Sequence, residues 1–236
     1  MRAVVITRPG GTEVLDVADL PVRDPGPGEV RIAVRAAAVH PTDSVTRENG
    51  VADVPPPWIP GMDLAGVVET VGEGVDRLAA GDRVMAAVNA RRPGGGAQAE
   101  LVVAPAASVV ALAEGLDFAA ASTLPMNGLT ARLGLEALAL QPGETLAVSG
   151  GAGLLASYVI ALARERGLQV IADAAPADQA AVEEAGCDIV VPRSDDFAAA
   201  VRAVVPAGVD GLYDTAALAA EALGAIRDGG RMVSIR

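Results

Sequence analysis

Three glycines crowd into Gly150–Gly153 of the stretch VSGGAGLLASYVIALARERG, after a short apolar run and before a segment with helical spacing. Gly151, Gly153 and Ala156 fit G-x-G-x-x-G/A. In that pattern the first glycine permits a tight turn, the second lets backbone approach a pyrophosphate, and the small third residue lets helix pack on strand. The helix that follows would present free N–H groups and its positive dipole end to the phosphates. The chemistry on offer is dinucleotide binding by Gly150, Gly151, Ala152, Gly153, Leu154 and Leu155. The competing account is a structural turn in a flavodoxin-like domain that binds no nucleotide. Asp173 lies twenty residues beyond Gly153, with Ala174 beside it. An acidic residue there accepts hydrogen bonds from an adenosine ribose and repels a 2′-phosphate.

Other side chains narrow the chemistry by their scarcity. All 18 basic residues are arginine, which removes Schiff-base lysines, the P-loop lysine and any Tyr/Lys catalytic pair. His40 is the only histidine, and no G-x-S-x-G turn accompanies it, so a Ser-His-Asp triad has little support. Cys187 is the only cysteine; it cannot form an internal disulfide, and a single thiol reads as cytosolic.

Composition excludes further classes. A net charge of -12 repels a phosphate backbone and an anionic membrane surface alike. Aromatic residues make up 2% of the chain, too few for base-stacking platforms. The N-terminus meets Pro and Gly by residue 9 and shows no signal-peptide apolar region, and no apolar run approaches the ~20 residues of a membrane helix. The expected partner is a small molecule, with neither nucleic acid nor membrane involved, in a cytoplasmic protein.

The elements that must position these residues divide near residue 118. Over residues 1–118, RAVVI, EVRIAVRAAAV, LAGVVETV, DRVMAAV and AELVVA are β-branched runs separated by Pro/Gly clusters, the pattern of a small barrel or sandwich, with a short helix at TDSVTREN. Residues 119–236 open on a helical stretch interrupted at Pro125 and then alternate. The strands TLAVS, LQVIAD, DIVVP, VDGLYDT and RMVSI are separated by helices, the fourth being ALAAEALGAIRDG. Five strands alternating with four helices predict a doubly wound parallel sheet, an α/β fold. Asp214 and Thr215 close the fourth strand, and Ser234, Ile235 and Arg236 close the fifth. The carboxyl ends of such strands line the ligand crevice.

The run Ile59–Val88, IPGMDLAGVVETVGEGVDRLAAGDRVMAAV, resembles the signature of the medium-chain dehydrogenase/reductase superfamily. Gly61, Asp63, Gly66, Val68, Val71 and Gly72 match G-x-D/E-x-x-G-x-V-x-x-V-G, and Gly81, Asp82, Arg83 and Val84 match the G-D-R-V that follows. GGAQAELVVAP, LPMNGLTA and QPGETLAVSGGAG look like its next landmarks, in order, so the resemblance covers essentially the whole chain. It implies an N-terminal GroES-like β-barrel domain and a Rossmann NAD(P)-binding domain. The most similar branch is that of the quinone oxidoreductases related to zeta-crystallin. Family members usually continue past this point, so the resemblance implies a C-terminally truncated chain, and a homodimer at full length.

Several roles come with the resemblance. His40, Met62 and Met126 fall where zinc-dependent alcohol dehydrogenases keep Cys, His and Cys, and two thioethers with one imidazole are a poor zinc set. No metal is expected. The metal-free branch delivers hydride from NADP(H) to a quinone or an activated C=C bond. NAD(H) is the alternative cofactor: Asp173 as a ribose acceptor would favour it and no base lies in DAAPADQA for a 2′-phosphate, whereas Asp173 falls one position before the acid of NAD-dependent relatives, which speaks for NADP(H). His40 opens HPTD and would donate a hydrogen bond to the substrate carbonyl, or else only order its loop. Asp43 would orient His40 and the loop, or serve the first turn of a helix. Asn127 and Thr130 would face the nicotinamide, or cap the helix after Pro125. Leu154 and Leu155 replace the small residues usual in the glycine loop, and would crowd the pyrophosphate or pack beneath it. Two other functions stay open: an enoyl reductase acting on acyl thioesters, and a nucleotide-binding protein that keeps the fold without turnover.

Overall fold

The computed structural model describes residues 1–235, and Arg236 lies outside the described residues. The chain divides into two compact units, Met1–Met126 and Asn127–Arg236.

In the first unit, β1 (Arg2–Ile6) pairs antiparallel with β2 (Leu15–Asp19). Five further strands form an antiparallel sheet: β3 (Glu29–Ala37), β4 (Asp63–Val71), β5 (Arg83–Ala87), β6 (Leu101–Pro105) and β7 (Val109–Ala111), in the order β6-β3-β4-β5-β7. Alternate residues turn inward, so Val30, Ile32, Leu64, Val68, Val84, Val102, Ala104 and Val109 build one core. Register shifts at Arg31/Ile32 and Val34/Ala36 bend β3. Gly66 has a steric reason within the signature: a Cβ there would collide with the Ala33 carbonyl of the paired strand. Two strands escaped the sequence reading. β2 is largely exposed and carries two aspartates, and β7 has three residues, too few for a period. Helix α1 (Pro41–Asn49) fills the expected position. Helix α2 (Phe118–Ser122) is N-capped by Asp117, whose carboxylate accepts the Ala120 N–H at 2.8 Å.

Helix α3 (Leu124–Leu138) carries Pro125 in its first turn, where a missing N–H costs nothing. The break expected at Pro125 therefore falls just before α3, at Thr123. From Asn127 onward α3 belongs to the second unit, which is built on five parallel strands: β8 (Thr145–Ser149), β9 (Gln169–Ala174), β10 (Ile189–Pro192), β11 (Val209–Asp214) and β12 (Ile226–Ser234). Their order is β10-β9-β8-β11-β12. The first crossovers step one way from β8 and the later strands step the other, so strand order reverses between β8 and β11. Such a reversal opens a crevice at the carboxyl edge. Helices α4 (Leu154–Glu165), α5 (Gln179–Glu184) and α6 (Phe197–Val204) connect the strands. On α3, Gly134 leaves the space that the ring of Tyr213 occupies. Among the described residues no helix is long and apolar enough to cross a membrane.

The fourth expected helix is not formed. Ala219–Ala225 is a 3₁₀ segment, and β12 begins at Ile226 rather than at the expected RMVSI run. Ala217 and Ala219 have φ of 58° and 52°, which no α-helix accommodates. The Asp214 carboxylate accepts the Leu218 and Ala219 N–H groups and draws the chain into that turn. Pairing of Ile226 with Val209 then takes residues the helix would have used.

At the opposite edge of the parallel sheet Asp210 ties three strands together. It accepts the Thr145 N–H and hydroxyl at 2.8 and 2.7 Å and Arg227 Nε at 2.6 Å. Burial alone would raise its pKa, but these donors outweigh burial and hold it down to about 2. The unfolded chain therefore binds this proton more readily. The stabilisation is complete above the ordinary carboxylate range and is lost as pH falls toward about 2. Urea unfolding of Asp210→Asn at neutral pH and at about pH 3 should show a smaller acid loss than in the wild type. An equal loss in both would assign the acid sensitivity to other carboxylates.

Candidate functional site

In the second unit the glycine turn stands at the carboxyl end of β8, beside the strand-order reversal. Gly150 adopts φ +68°. A Cβ on Gly151 would meet the Asp173 carbonyl oxygen at 2.7 Å and the Ala172 methyl at 2.8 Å, so the turn lies tight against β9. Gly153 is the N-cap of α4. It has no side chain to bond the first-turn amides, and that turn carries no acidic residue. Helices α2 and α6, by contrast, are capped by Asp117 and Asp196. The first-turn amides of α4 thus have no side-chain cap, as is also the case at α5, and Ala152, Gly153 and Leu154 are exposed around them. These residues suit a phosphate-bearing cofactor. Leu154 is 53% exposed, whereas Leu155 packs against the core beneath.

The structure gathers most of the expected residues at this edge. Asp173 is buried; one carboxylate oxygen accepts the Gly150 N–H at 2.5 Å and the other accepts Arg193 Nε at 3.0 Å. Both oxygens already have protein donors. Asp173 therefore organises the glycine turn directly, a role the ribose-acceptor expectation did not include. Asp214 is fully buried and accepts Ser149 Oγ, Ser234 Oγ and the Leu218 and Ala219 N–H groups at 2.6–3.0 Å. Burial would raise this carboxyl, but the four donors hold it below the ordinary range. Thr215 donates to the Ser149 carbonyl at 2.6 Å, and the Ile235 N–H bonds the Asp214 carbonyl at 3.2 Å. Ala174 is not at the surface of this cluster; it is buried in the core at the end of β9. Asn127 and Thr130 lie on α3. Asn127 is buried, and the Thr130 carbonyl accepts the Tyr213 hydroxyl at 2.7 Å.

In the first unit His40 is 7% exposed at the N-terminus of α1. Asp43, in the first turn, accepts the His40 N–H at 2.8 Å and the Gly61 N–H at 2.8 Å. It thus binds the His40 backbone rather than the ring. The ring is held elsewhere, with Nε2 2.8 Å from Oδ1 of the fully buried Asp63. Asp63 Oδ2 also accepts the Met126 N–H at 3.1 Å. Met62 Sδ accepts the Thr42 hydroxyl at 3.4 Å. A pair of thioethers and an imidazole already committed to a carboxylate do not suit zinc. Among the described residues no group of three or more His, Cys, Asp and Glu side chains is placed to hold a metal.

Two participants were missed as site residues. Asp63 is part of the matched signature, yet nothing in the pattern says that it faces His40. Arg193 directly follows β10, outside the window in which a base was sought. Its place directly after a strand at the carboxyl edge was the available signal.

The family description "Alcohol dehydrogenase GroES-like domain" matches residues 26–114. The chain is 31% identical over 244 residues to the NADPH-dependent alkenal/one oxidoreductase, chloroplastic, of Arabidopsis thaliana, an alignment covering 100% of this chain and 62% of that protein. It is 37% identical over 199 residues to pikromycin polyketide synthase component PikAII of Streptomyces venezuelae, covering 83% of this chain and 5% of that protein. The chain thus spans less than two thirds of these curated relatives. Among solved structures, an NAD-dependent alcohol dehydrogenase aligns with a TM-score of 0.89 at 32% identity, over 99% of this chain and 77% of that one.

Proposed function

The chain belongs to the medium-chain dehydrogenase/reductase superfamily, and on that premise we propose that it is an NADP(H)-dependent oxidoreductase reducing a quinone or an activated C=C bond without zinc. The observation that carries the proposal is the uncapped start of α4 behind the Gly150–Gly153 turn, at the strand-order reversal. The pyrophosphate is held by the amides of that first turn, with Gly150, Gly151, Ala152 and Gly153 shaping the approach. When bound, the nicotinamide supplies a hydride. Asn127 and Thr130 hold the nicotinamide end. His40 meets the oxygen of the acceptor, and Asp43 fixes the loop that carries it. The reading places the protein in the cytoplasm, resting on its single thiol.

Titration of NADPH and NADH, followed by turnover on a panel of quinones and enones, tests the reading. Saturable binding of either cofactor without its oxidation on any acceptor would favour the non-catalytic alternative. A second reading, enoyl reduction on acyl thioesters, draws support from the 37% identity with a polyketide synthase component. Faster turnover of enoyl thioesters than of free enones would select it.

Choice of cofactor follows from Arg193. Its side chain is 46% exposed and lies against Asp173, so it offsets the negative charge that would repel a 2′-phosphate and leaves donors for one. Arg193→Ala should weaken NADPH binding roughly tenfold relative to NADH, about 1.4 kcal/mol. An unchanged ratio of the two dissociation constants would reject Arg193 as the selector.

A further inference from the structure

Asp214 ends β11 beside the strand-order reversal, and each of its carboxylate oxygens serves two donors. Oδ1 accepts Ser149 Oγ at 2.6 Å and the Leu218 N–H at 3.0 Å; Oδ2 accepts Ser234 Oγ at 2.9 Å and the Ala219 N–H at 2.9 Å. Residues 215–219 are thereby folded back onto the end of their own strand. Ser149 holds the same turn from β8: its carbonyl accepts the Thr215 hydroxyl at 2.6 Å, and its Oγ accepts the Ala216 N–H at 3.2 Å. Ser149 immediately precedes the glycine turn. A Cβ on Gly150 would meet Ala216 Cβ at 3.2 Å and Thr215 Oγ1 at 3.3 Å, so the two turns lie against each other at the adjoining ends of β8 and β11.

The backbone of the 215–219 turn is strained. Ala217 and Ala219 have φ of 58° and 52°, left-handed values that a Cβ disfavours. Among the described residues four that are not glycine have positive φ, and two of them stand in this one turn. Strain gathered at a ligand crevice, and held there by a fully buried carboxylate, points to a binding element. Ala216 and Ala217 are its exposed face. We propose that Asp214 is a positioning residue for cofactor binding: it locks the 215–219 turn so that Ala216 and Ala217 stand as a preformed second wall beside the glycine turn. The inference rests on the dinucleotide-binding part of the proposed function and adds to it an element outside the glycine pattern. A wall already held in one shape needs no ordering when the cofactor arrives, so affinity is gained where folding stability is lost.

Ala217→Gly and Ala219→Gly separate this role from a purely structural one, because they move stability and affinity in opposite directions. Glycine keeps the N–H groups of the turn and removes the clash of the Cβ. Each variant should raise the thermal midpoint by about 2–4 °C, as relief of backbone strain does. The double variant should bind NADPH and NADH about fivefold more weakly, since a looser turn is competent to bind for less of the time. The factor should be the same for both cofactors, which distinguishes it from selection at the 2′-phosphate. Raised stability with unchanged affinity would make the turn a structural feature only and overturn the proposal. A lowered midpoint would remove the strain from which the proposal starts. Asp214→Asn is the second test. A carboxamide has one oxygen, and in either orientation its NH₂ faces one hydroxyl and one backbone N–H. A serine hydroxyl can rotate to accept, but the Leu218 or Ala219 N–H cannot. The turn should open at that amide, and both dissociation constants should rise roughly tenfold or more. Values equal to the wild type in a folded variant would overturn the proposal; if the variant does not fold, the glycine pair decides. Wild-type protein that binds neither cofactor would defeat the dinucleotide-binding reading and this proposal with it. Wild-type binding with unaltered affinity in the variants would defeat this proposal alone.

Discussion

His40→Ala lowers kcat by about 10²–10³ on every accepted quinone or enone, the usual cost of losing one donor at a developing oxyanion. Cofactor affinity should stay unchanged, because His40 and the glycine turn belong to different units. The size of the loss follows from the timing of the interaction. A donor accelerates the step only where its bond strengthens in the transition state, as negative charge gathers on the carbonyl oxygen. Its neighbours among the described residues do not replace it: Asp43 and Asp63 are acceptors, Met62 and Met126 offer no proton, and the Thr42 hydroxyl is directed at Met62 Sδ. His40→Asn should retain much of the activity, since a carboxamide also donates. Steady-state kinetics on both variants, beside a titration of cofactor, separate the effects. A kcat for His40→Ala equal to the wild type would reduce His40 to a loop residue, and the proton would then come from water.

Gly153→Val should weaken cofactor binding by well over tenfold, roughly 1.4 kcal/mol or more, in a chain that still folds. The position suits the test better than Gly151 does. A side chain on Gly151 would strike β9 through the Asp173 carbonyl and the Ala172 methyl, and the loop would move for reasons unrelated to a ligand. Gly153 has φ −72° and ψ 151°, extended backbone that any residue adopts. An added Cβ meets only the Gly150 carbonyl oxygen, at 3.1 Å. The branched side chain would then stand in front of the first-turn amides of α4 and hold the phosphates away from them. Fluorescence titration of NADPH against both proteins, with circular dichroism to check the fold, measures the effect. Equal affinity in a folded variant would remove the glycine turn from the binding site.

Much of the architecture was legible because it is written in short-range pattern. Alternation in EVRIAVRAA and the paired TLAVS and LQVIAD strands reflects which face each residue must bury, and neighbours along the chain carry that information. The glycine turn was legible for the same reason, since its pattern lies within seven consecutive residues, although what Gly151 must avoid is the neighbouring strand β9. The 3₁₀ segment at Ala219–Ala225 was not. An alanine-rich run has high helix propensity, and what defeats it is the buried Asp214 carboxylate, which reaches forward to the Leu218 and Ala219 amides.

From its sequence alone, this protein is committed to a β-rich first part, a strand–helix alternation opening on a phosphate-sized turn, and a chemistry that has one imidazole and no lysine. Those commitments rest on residue types, on local periodicity and on what is absent, none of which needs a partner across the fold. The tertiary structure alone decided that His40 Nε2 is held by Asp63, that Asp43 serves the backbone beside it, and that Asp173 is shared between the Gly150 amide and Arg193. Each of these turns on the direction of a hydrogen bond between residues on separate elements. A donor and an acceptor bond only within about 3 Å and along a narrow range of angles, and only the folded backbone sets both.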